Sequence, residues 1–189
     1  MRLFCRFAAV LLTVVIVAAC GDDASSEFGE ANSIKLSNGA LIPETEDVQH
    51  EPVEGSIGDL RFASLVGDSQ DTFASHLDKP LVVNFFAAWC GPCRAELPEF
   101  ETVYQELKDH VNFLGISRDG SAAPSLELLA DTGVSYPSGW DSDGSLFGDL
   151  GLIAMPSTLM VDRNGVVVEQ WAGVLTTESL RDLITENLL

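Results

Sequence analysis

A continuous apolar run, PLVVNFFAAW at residues 80–89, leads directly into a cysteine pair, Cys90 and Cys93. A short run rich in valine and phenylalanine is typical of a strand buried on both faces of a sheet. The segment that follows, residues 90–110, carries apolar residues at helical spacing. The sequence therefore predicts a buried strand that ends where the cysteine pair and a helix begin.

The remainder of the chain from about residue 51 alternates between strand and helix patterns. Strands or extended pieces are predicted at 61–67, 111–117, 135–140, 157–162 and 166–173, helices at 123–133, 144–152 and 176–189, and either a strand or a helical turn at 71–77. An Arg-Asn-Gly turn at 163–165 predicts a hairpin. This order predicts an α/β fold with a central mixed sheet flanked by helices and an extra N-terminal strand or hairpin.

The first nineteen residues have the features of an export signal. Arg2 and Arg6 precede an apolar run from Phe7 to Ala19. The run is shorter than the ~20 residues that span a bilayer, and its length and flanks are typical of a secretory signal. Residues 1–19 are therefore predicted to be a signal peptide.

The apolar run leads into VAAC, with the small residues Ala18 and Ala19 directly before Cys20. This resembles a bacterial lipobox, in which the cysteine is lipidated and becomes the new N-terminus. The alternative is an ordinary signal peptidase site, which would leave a free thiol in an exported chain. Lipidation of Cys20 is the preferred prediction, because a leftover cysteine in an exported protein needs an explanation. A terminus with more than one acyl chain would anchor stably to a membrane.

Residues 21–50 are polar, acidic and aperiodic, so residues 20–50 are predicted to be a lipidated N-terminus and flexible tether, with the domain at 51–189. The whole chain has a net charge of −19. Nucleic acid and anionic lipid headgroups repel such a surface and are not expected partners.

Cys90 and Cys93 have only each other once Cys5 leaves with the signal and Cys20 takes lipid. A disulfide across two residues stabilises a fold little, because the entropic gain grows with loop length. Structural zinc requires four ligands, usually two spaced pairs, and the histidines are scattered. The pair is therefore predicted to react, with no metal and no cofactor beyond the Cys90–Cys93 disulfide itself.

The position of each cysteine predicts its role. Cys90 begins the helix, where free N–H groups and the helix dipole stabilise a thiolate. Cys90 is expected to attack and Cys93, one turn later, to resolve the mixed disulfide. Gly91 keeps the turn open, and Pro92 suits the first helical turn. Trp89 is expected either to shield the pair or to pack in the core.

The segments VVNFFAAWCGPCRAELPEFE and GLIAMPSTLMVDRNGVVV resemble the membrane-anchored thiol–disulfide oxidoreductases of the TlpA and ResA type. The resemblance covers roughly residues 55–189 and implies the thioredoxin fold. It also implies a cis-proline at Met155-Pro156 that lies against Cys90, with Met155 contacting the substrate chain. The alternative is an ordinary proline at a strand start. The family more often has a smaller polar residue in place of Met155, so substrate choice does not follow from the resemblance.

Asn84 stands six residues before Cys90, where cytosolic thioredoxins place a buried aspartate. An amide cannot take a proton from Cys93, so a carboxylate elsewhere, or water, must do so. Glu96 is the nearest carboxylate in the sequence. The alternative for Glu96 is a favourable charge near the start of a helix.

The resemblance implies an extracytoplasmic enzyme, a monomer anchored by lipid to the outer face of the bacterial membrane. Gly-Pro between the cysteines favours a reductant, with a membrane thiol carrier as electron donor and apocytochrome c or other exported disulfide proteins as substrates. Three alternatives stay open. They are a disulfide-forming oxidant, a redox-inert binding lipoprotein, and a peroxiredoxin-like peroxidase, although Ala87 occupies the position where peroxiredoxins have threonine.

Overall fold

The computed structural model describes residues 55–189. The predicted signal peptide, Cys20, the tether and the boundary at residue 51 lie outside the described residues and remain predictions. Within residues 55–189, no helix is both long enough and apolar enough to cross a bilayer.

Strands and helices alternate along most of the described chain. The strands are β1 (Arg61–Ser64), β2 (Gln70–Thr72), β3 (Leu81–Phe86), β4 (Asn112–Ser117), β5 (Ser138–Trp140), β6 (Ser157–Val161) and β7 (Val167–Ala172). The α-helices are α1 (Gly91–Leu107), α2 (Ala122–Thr132), α3 (Ser145–Asp149) and α4 (Thr177–Leu188), and a 3₁₀ turn spans Phe73–His76.

The seven described strands form one sheet in the order β2-β1-β5-β4-β3-β6-β7. Strands β3, β4 and β5 are parallel, whereas β6 and β7 on one side and β1 and β2 on the other are antiparallel to their neighbours. The predicted mixed sheet is confirmed, and β1 with β2 forms the extra N-terminal hairpin. The arrangement is the thioredoxin-like fold that the resemblance implies.

Strand β3 lies at the centre of the sheet and all six of its residues are buried. One face, with Val83 and Phe85, packs on the cluster that contains Phe147. The opposite face, with Val82, packs beneath α1 and α4 against residues such as Phe100. The prediction of a strand buried on both faces is therefore confirmed, and apolar packing fixes the strand that leads to the cysteines.

Two N-terminal predictions need correction in detail. Strand β1 ends at Ser64 rather than near residue 67, because the Ser64 hydroxyl donates to the Val66 carbonyl (2.8 Å) and turns the chain. Gly67 continues that turn with a φ of 83°, a conformation that glycine adopts without steric cost. Residues 71–77 contain both predicted alternatives, the end of β2 and then the 3₁₀ turn.

The predicted hairpin between β6 and β7 is present. Asp162 accepts hydrogen bonds from the N–H groups of Asn164 (2.8 Å) and Val166 (2.9 Å), and Gly165 has a φ of 81°. Helix α4 begins after Thr176, which forms a reciprocal capping box with Ser179.

Gly139, in β5, offers a test of how tightly the sheet packs. A Cβ at this position would lie 2.8 Å from Phe62 Cε2 and 2.9 Å from Ile116 Cδ1. Gly139→Ala is therefore expected to lower the free energy of unfolding by about 1–3 kcal/mol, the range for overpacked cores. Denaturant unfolding followed by circular dichroism measures this change.

Gly148, on the exposed side of α3, is the matched control, because no atom outside its chain neighbours and its own helix backbone lies within 4 Å of a Cβ built there. Gly148→Ala is expected to be neutral or to stabilise by up to about 1 kcal/mol. Equal effects of the two substitutions would contradict the packing described for β5.

Candidate active site

The cysteine pair lies at the junction of β3 and α1. Strand β3 ends at Phe86, and the N–H of Cys90 donates to the Ala87 carbonyl (3.1 Å) to close a turn. Cys90 is the N-cap of α1, and its Sγ accepts a hydrogen bond from the Cys93 N–H (3.2 Å). The Cys90 sulfur therefore lies where the free N–H groups and the dipole of a long helix favour negative charge.

Cys90 and Cys93 are joined by a disulfide. Both residues are buried, with 5% of Cys90 and 1% of Cys93 exposed, whereas Gly91 and Pro92 between them are exposed. Trp89 is 66% exposed, so the interpretation of Trp89 as a core residue is wrong. The disulfide is therefore largely buried, whereas the residue directly before it in the sequence exposes its indole.

Strand β6 carries the predicted proline to the same edge of the sheet. Ser157 pairs with Phe85, which places Pro156 beside the end of β3. The Met155-Pro156 bond is cis, as predicted. Met155 is partly buried and packs against the cluster that contains both cysteines. The structure thus brings the two sequence-distant motifs together.

Glu96 lies beneath this site rather than on the surface of α1. Only 1% of the residue is exposed. Its carboxylate accepts hydrogen bonds from the Asn84 side-chain amide (2.7 Å) and from the Leu175 N–H (2.8 Å). Burial raises the pKa of the Glu96 carboxyl from its ordinary value of 4.5 to about 7, and the two hydrogen bonds oppose only part of that rise.

These contacts change the interpretation of Glu96. A surface charge near the start of a helix would be solvated and fully ionised at neutral pH, whereas this carboxyl is buried with a pKa near neutrality. It also lies three residues after Cys93, and both side chains are on the buried face of α1. Glu96 therefore has the protonation behaviour expected of a group that exchanges protons near pH 7.

Sequence reasoning missed Asp119, which lies two residues after β4. Its buried carboxylate accepts hydrogen bonds from the Ala88 N–H at 2.9 and 3.2 Å, directly before the cysteine motif. One signal was available, because the carboxyl ends of adjacent parallel strands such as β3 and β4 meet at one sheet edge. The contact of Glu96 with Leu175 had no comparable signal.

Among residues 55–189, no group of three or more histidine, cysteine, aspartate and glutamate side chains is arranged to hold a metal ion.

A protein-family model described as AhpC/TSA matches residues 64–170, which is more than half of the chain. The chain belongs to the AhpC/TSA family. The matched range begins in β1 and ends in β7, so it includes the cysteine motif and the cis-proline.

Proteins with sequences similar to this chain are named as thiol–disulfide oxidoreductases or thiol:disulfide interchange proteins. The chain is 28% identical over 109 residues to thiol-disulfide oxidoreductase ResA of Oceanobacillus iheyensis, and the match covers 57% of each chain. It is 32% identical over 117 residues to thiol:disulfide interchange protein DsbE of Pseudomonas fluorescens biotype C, covering 61% of this chain and 64% of that one. The chain thus spans less than two thirds of either relative.

Solved structures show the same fold. A DsbF homologue from Corynebacterium diphtheriae is 27% identical, with a TM-score of 0.63 over 69% of this chain and 85% of that chain. A secreted thiol-disulfide isomerase from Corynebacterium glutamicum is 23% identical, with a TM-score of 0.62 over 70% of this chain and 83% of that chain. At that lower identity the second likeness supports the fold alone.

The raised pKa of Glu96 predicts a specific pH dependence of stability. Because the folded pKa lies above the unfolded one, Glu96 contributes stability that is full below about pH 4.5 and lost as the pH rises through about 7. The difference in unfolding free energy between wild type and Glu96→Gln should therefore fall by about 2–3 kcal/mol between about pH 5 and about pH 8. Urea unfolding at each pH measures it.

Glu99, one turn later on α1, is the matched control. Hydrogen bonds from Thr177 lower the pKa of the Glu99 carboxyl. The stability that Glu99 contributes is therefore present above its ordinary pKa and is lost only in acid. The difference between wild type and Glu99→Gln should be nearly flat over the same pH range. The raised pKa of Glu96 would be contradicted if the difference in unfolding free energy between wild type and Glu96→Gln did not change with pH, or if the difference for Glu99→Gln fell by the same amount.

Proposed function

We propose that this chain is an extracytoplasmic thiol–disulfide oxidoreductase that reduces disulfides in exported proteins. The observation that carries the proposal is the Cys90–Cys93 disulfide at the N-terminus of α1, with Cys90 as the helix N-cap. The thiol–disulfide names of the ResA and DsbE relatives support the same reaction class.

The reaction proceeds in two exchange steps when the pair is in its dithiol form. The Cys90 thiolate attacks one sulfur of a substrate disulfide, which forms a mixed disulfide and releases the other substrate sulfur as a thiolate. Cys93, as thiolate, then attacks Cys90 Sγ and releases the second substrate sulfur. The substrate gains two electrons, and Cys90 and Cys93 return to the disulfide.

The proton of Cys93 must leave before that second attack. Asn84 holds no removable proton at neutral pH and cannot accept one, but it donates to the Glu96 carboxylate. Glu96 shares the buried face of α1 with Cys93 and has a pKa of about 7. We assign Glu96 as the group that receives this proton, either directly or through water.

The cellular setting belongs to the same proposal. The export signal at residues 1–19 and the lipobox-like Cys20 support anchoring of a monomer at the outer face of the membrane. Electrons would come from a membrane thiol carrier, because the disulfide must be reduced again after each cycle. Apocytochrome c and other exported proteins with disulfides are the substrates that we propose.

Substitution of each cysteine tests the reaction. In an insulin-reduction assay with dithiothreitol, the purified full chain should accelerate insulin precipitation. Cys90→Ser should lower the rate to that of dithiothreitol alone, because the attacking sulfur is lost. Cys93→Ser should instead accumulate a mixed disulfide on Cys90, since resolution is blocked.

Cys20→Ser is the control, because it changes the proposed lipidation site, which takes no part in the exchange, and it should reduce insulin as wild type does. Equal rates for wild type and Cys90→Ser would mean a redox-inert binding protein. Peroxide consumption that depends on Cys90, without insulin reduction, would mean a peroxidase. Ala87 at the position of the peroxiredoxin threonine argues against that second outcome.

A further inference from the structure

The Asp119 carboxylate is a buried group beside the disulfide for which the exchange steps above have no role. Asp119 is 4% exposed. The Ala88 N–H donates to both of its oxygens, at 2.9 Å to Oδ2 and 3.2 Å to Oδ1. Ala88 is two residues before Cys90, within the turn that the bond from Cys90 N–H to the Ala87 carbonyl closes. The carboxylate therefore contacts the active-site turn itself.

Two serine hydroxyls complete the surroundings of this carboxylate. Ser125, in the second turn of α2, donates to Oδ2 at 2.6 Å, and Ser117, the last residue of β4, donates to the same oxygen at 3.4 Å. The two hydroxyls also contact each other at 2.5 Å, and both serines are fully buried. One carboxylate thus joins the end of β4, helix α2 and the turn before the cysteines.

Backbone hydrogen bonds fix the segment that carries Asp119. The Arg118 N–H donates to the Phe86 carbonyl (2.9 Å) at the end of β3. The Trp140 indole N–H donates to the Asp119 carbonyl (2.6 Å). Asp119 is therefore held in place from both sides, and its contact with Ala88 is a contact between two fixed segments.

We propose that Asp119 is a positioning residue for the disulfide, whose carboxylate fixes the Ala87–Cys90 turn and makes the Cys90–Cys93 pair more reducing. The inference rests on the proposed function, since it concerns the same sulfurs. The disulfide is neutral, whereas the reduced pair carries a thiolate on Cys90. A carboxylate close to this turn disfavours the thiolate and so favours the disulfide.

The serine hydroxyls act in the opposite sense. A hydroxyl that donates to a carboxylate delocalises part of its charge, so Ser125 weakens the effect of Asp119 on the thiolate. Removal of the carboxylate and removal of the Ser125 hydroxyl should therefore move the redox equilibrium in opposite directions. General loosening of the turn would move both variants in the same direction.

The test is the equilibrium constant of the full chain with glutathione redox buffers. Asp119→Asn should shift the equilibrium three- to tenfold toward the reduced pair, where tenfold corresponds to about 30 mV. Ser125→Ala should shift it about twofold toward the disulfide. Neither measurement requires the natural substrate.

Asp141→Asn is the matched control. Asp141 is also buried, at 5% exposed, and its carboxylate accepts from backbone N–H groups, those of Leu146 (3.2 Å) and Phe147 (3.0 Å) at the start of α3. Its substitution should lower stability but leave the glutathione equilibrium within twofold of wild type. A shift for Asp141→Asn equal to that for Asp119→Asn would overturn the inference.

Further outcomes decide between the two proposals. An unchanged equilibrium for Asp119→Asn, or shifts of equal sign for Asp119→Asn and Ser125→Ala, overturns the role of Asp119. If Asp119→Asn does not fold, Ser125→Ala decides alone, and a shift toward the reduced pair or no shift overturns the inference. A wild type whose disulfide does not exchange with glutathione contradicts the proposed function instead.

Discussion

The burial of β3 on both faces is the constraint on which the site depends. The strand is apolar except for Asn84, so it occupies the centre of the sheet, and its end fixes where α1 can begin. The amide nitrogen of its one polar side chain donates to Glu96 from α1, and the Glu96 carboxylate also accepts from the Leu175 N–H before α4. A buried amide without such a partner would cost free energy. The hydrogen bond that gives the buried Asn84 amide a partner therefore also holds a carboxyl with a pKa of about 7 on the buried face of α1, which Cys93 shares.

The disulfide lies among groups that act on it electrostatically in different ways. The N-terminus of α1 favours a thiolate on Cys90, whereas the Asp119 carboxylate, held against Ala88, opposes it. Burial raises the pKa of Glu96, which supports the proposed exchange of a proton with Cys93 at a pH where a surface carboxyl would stay ionised. We infer that reactivity and redox direction are set by the balance among these groups more than by the Gly-Pro dipeptide alone.

Local patterns predicted much of this structure, because the relevant physics is local. The apolar run of β3 and the turn at 163–165 were each predicted from adjacent residues and are present. The cis bond before Pro156 followed from the family resemblance.

What the sequence did not reveal depends on contacts between distant segments. The exposure of Trp89, the burial of Glu96 against Leu175, 79 residues away, and the contact of Asp119 with Ala88 follow from how α1, β4 and α4 pack on the sheet. The early end of β1 is an exception, since the side chain of Ser64 determines it locally.

The reduction potential of the Cys90–Cys93 pair in the full chain distinguishes a reductant from an oxidant. Equilibration with dithiothreitol or glutathione buffers, followed by quantification of the free thiols, gives this value. A pair that reduces its substrates is expected to have a potential close to that of thioredoxin, about −270 mV. A value near that of DsbA, about −120 mV, would contradict the proposed reductant and indicate an oxidant that introduces disulfides into exported proteins.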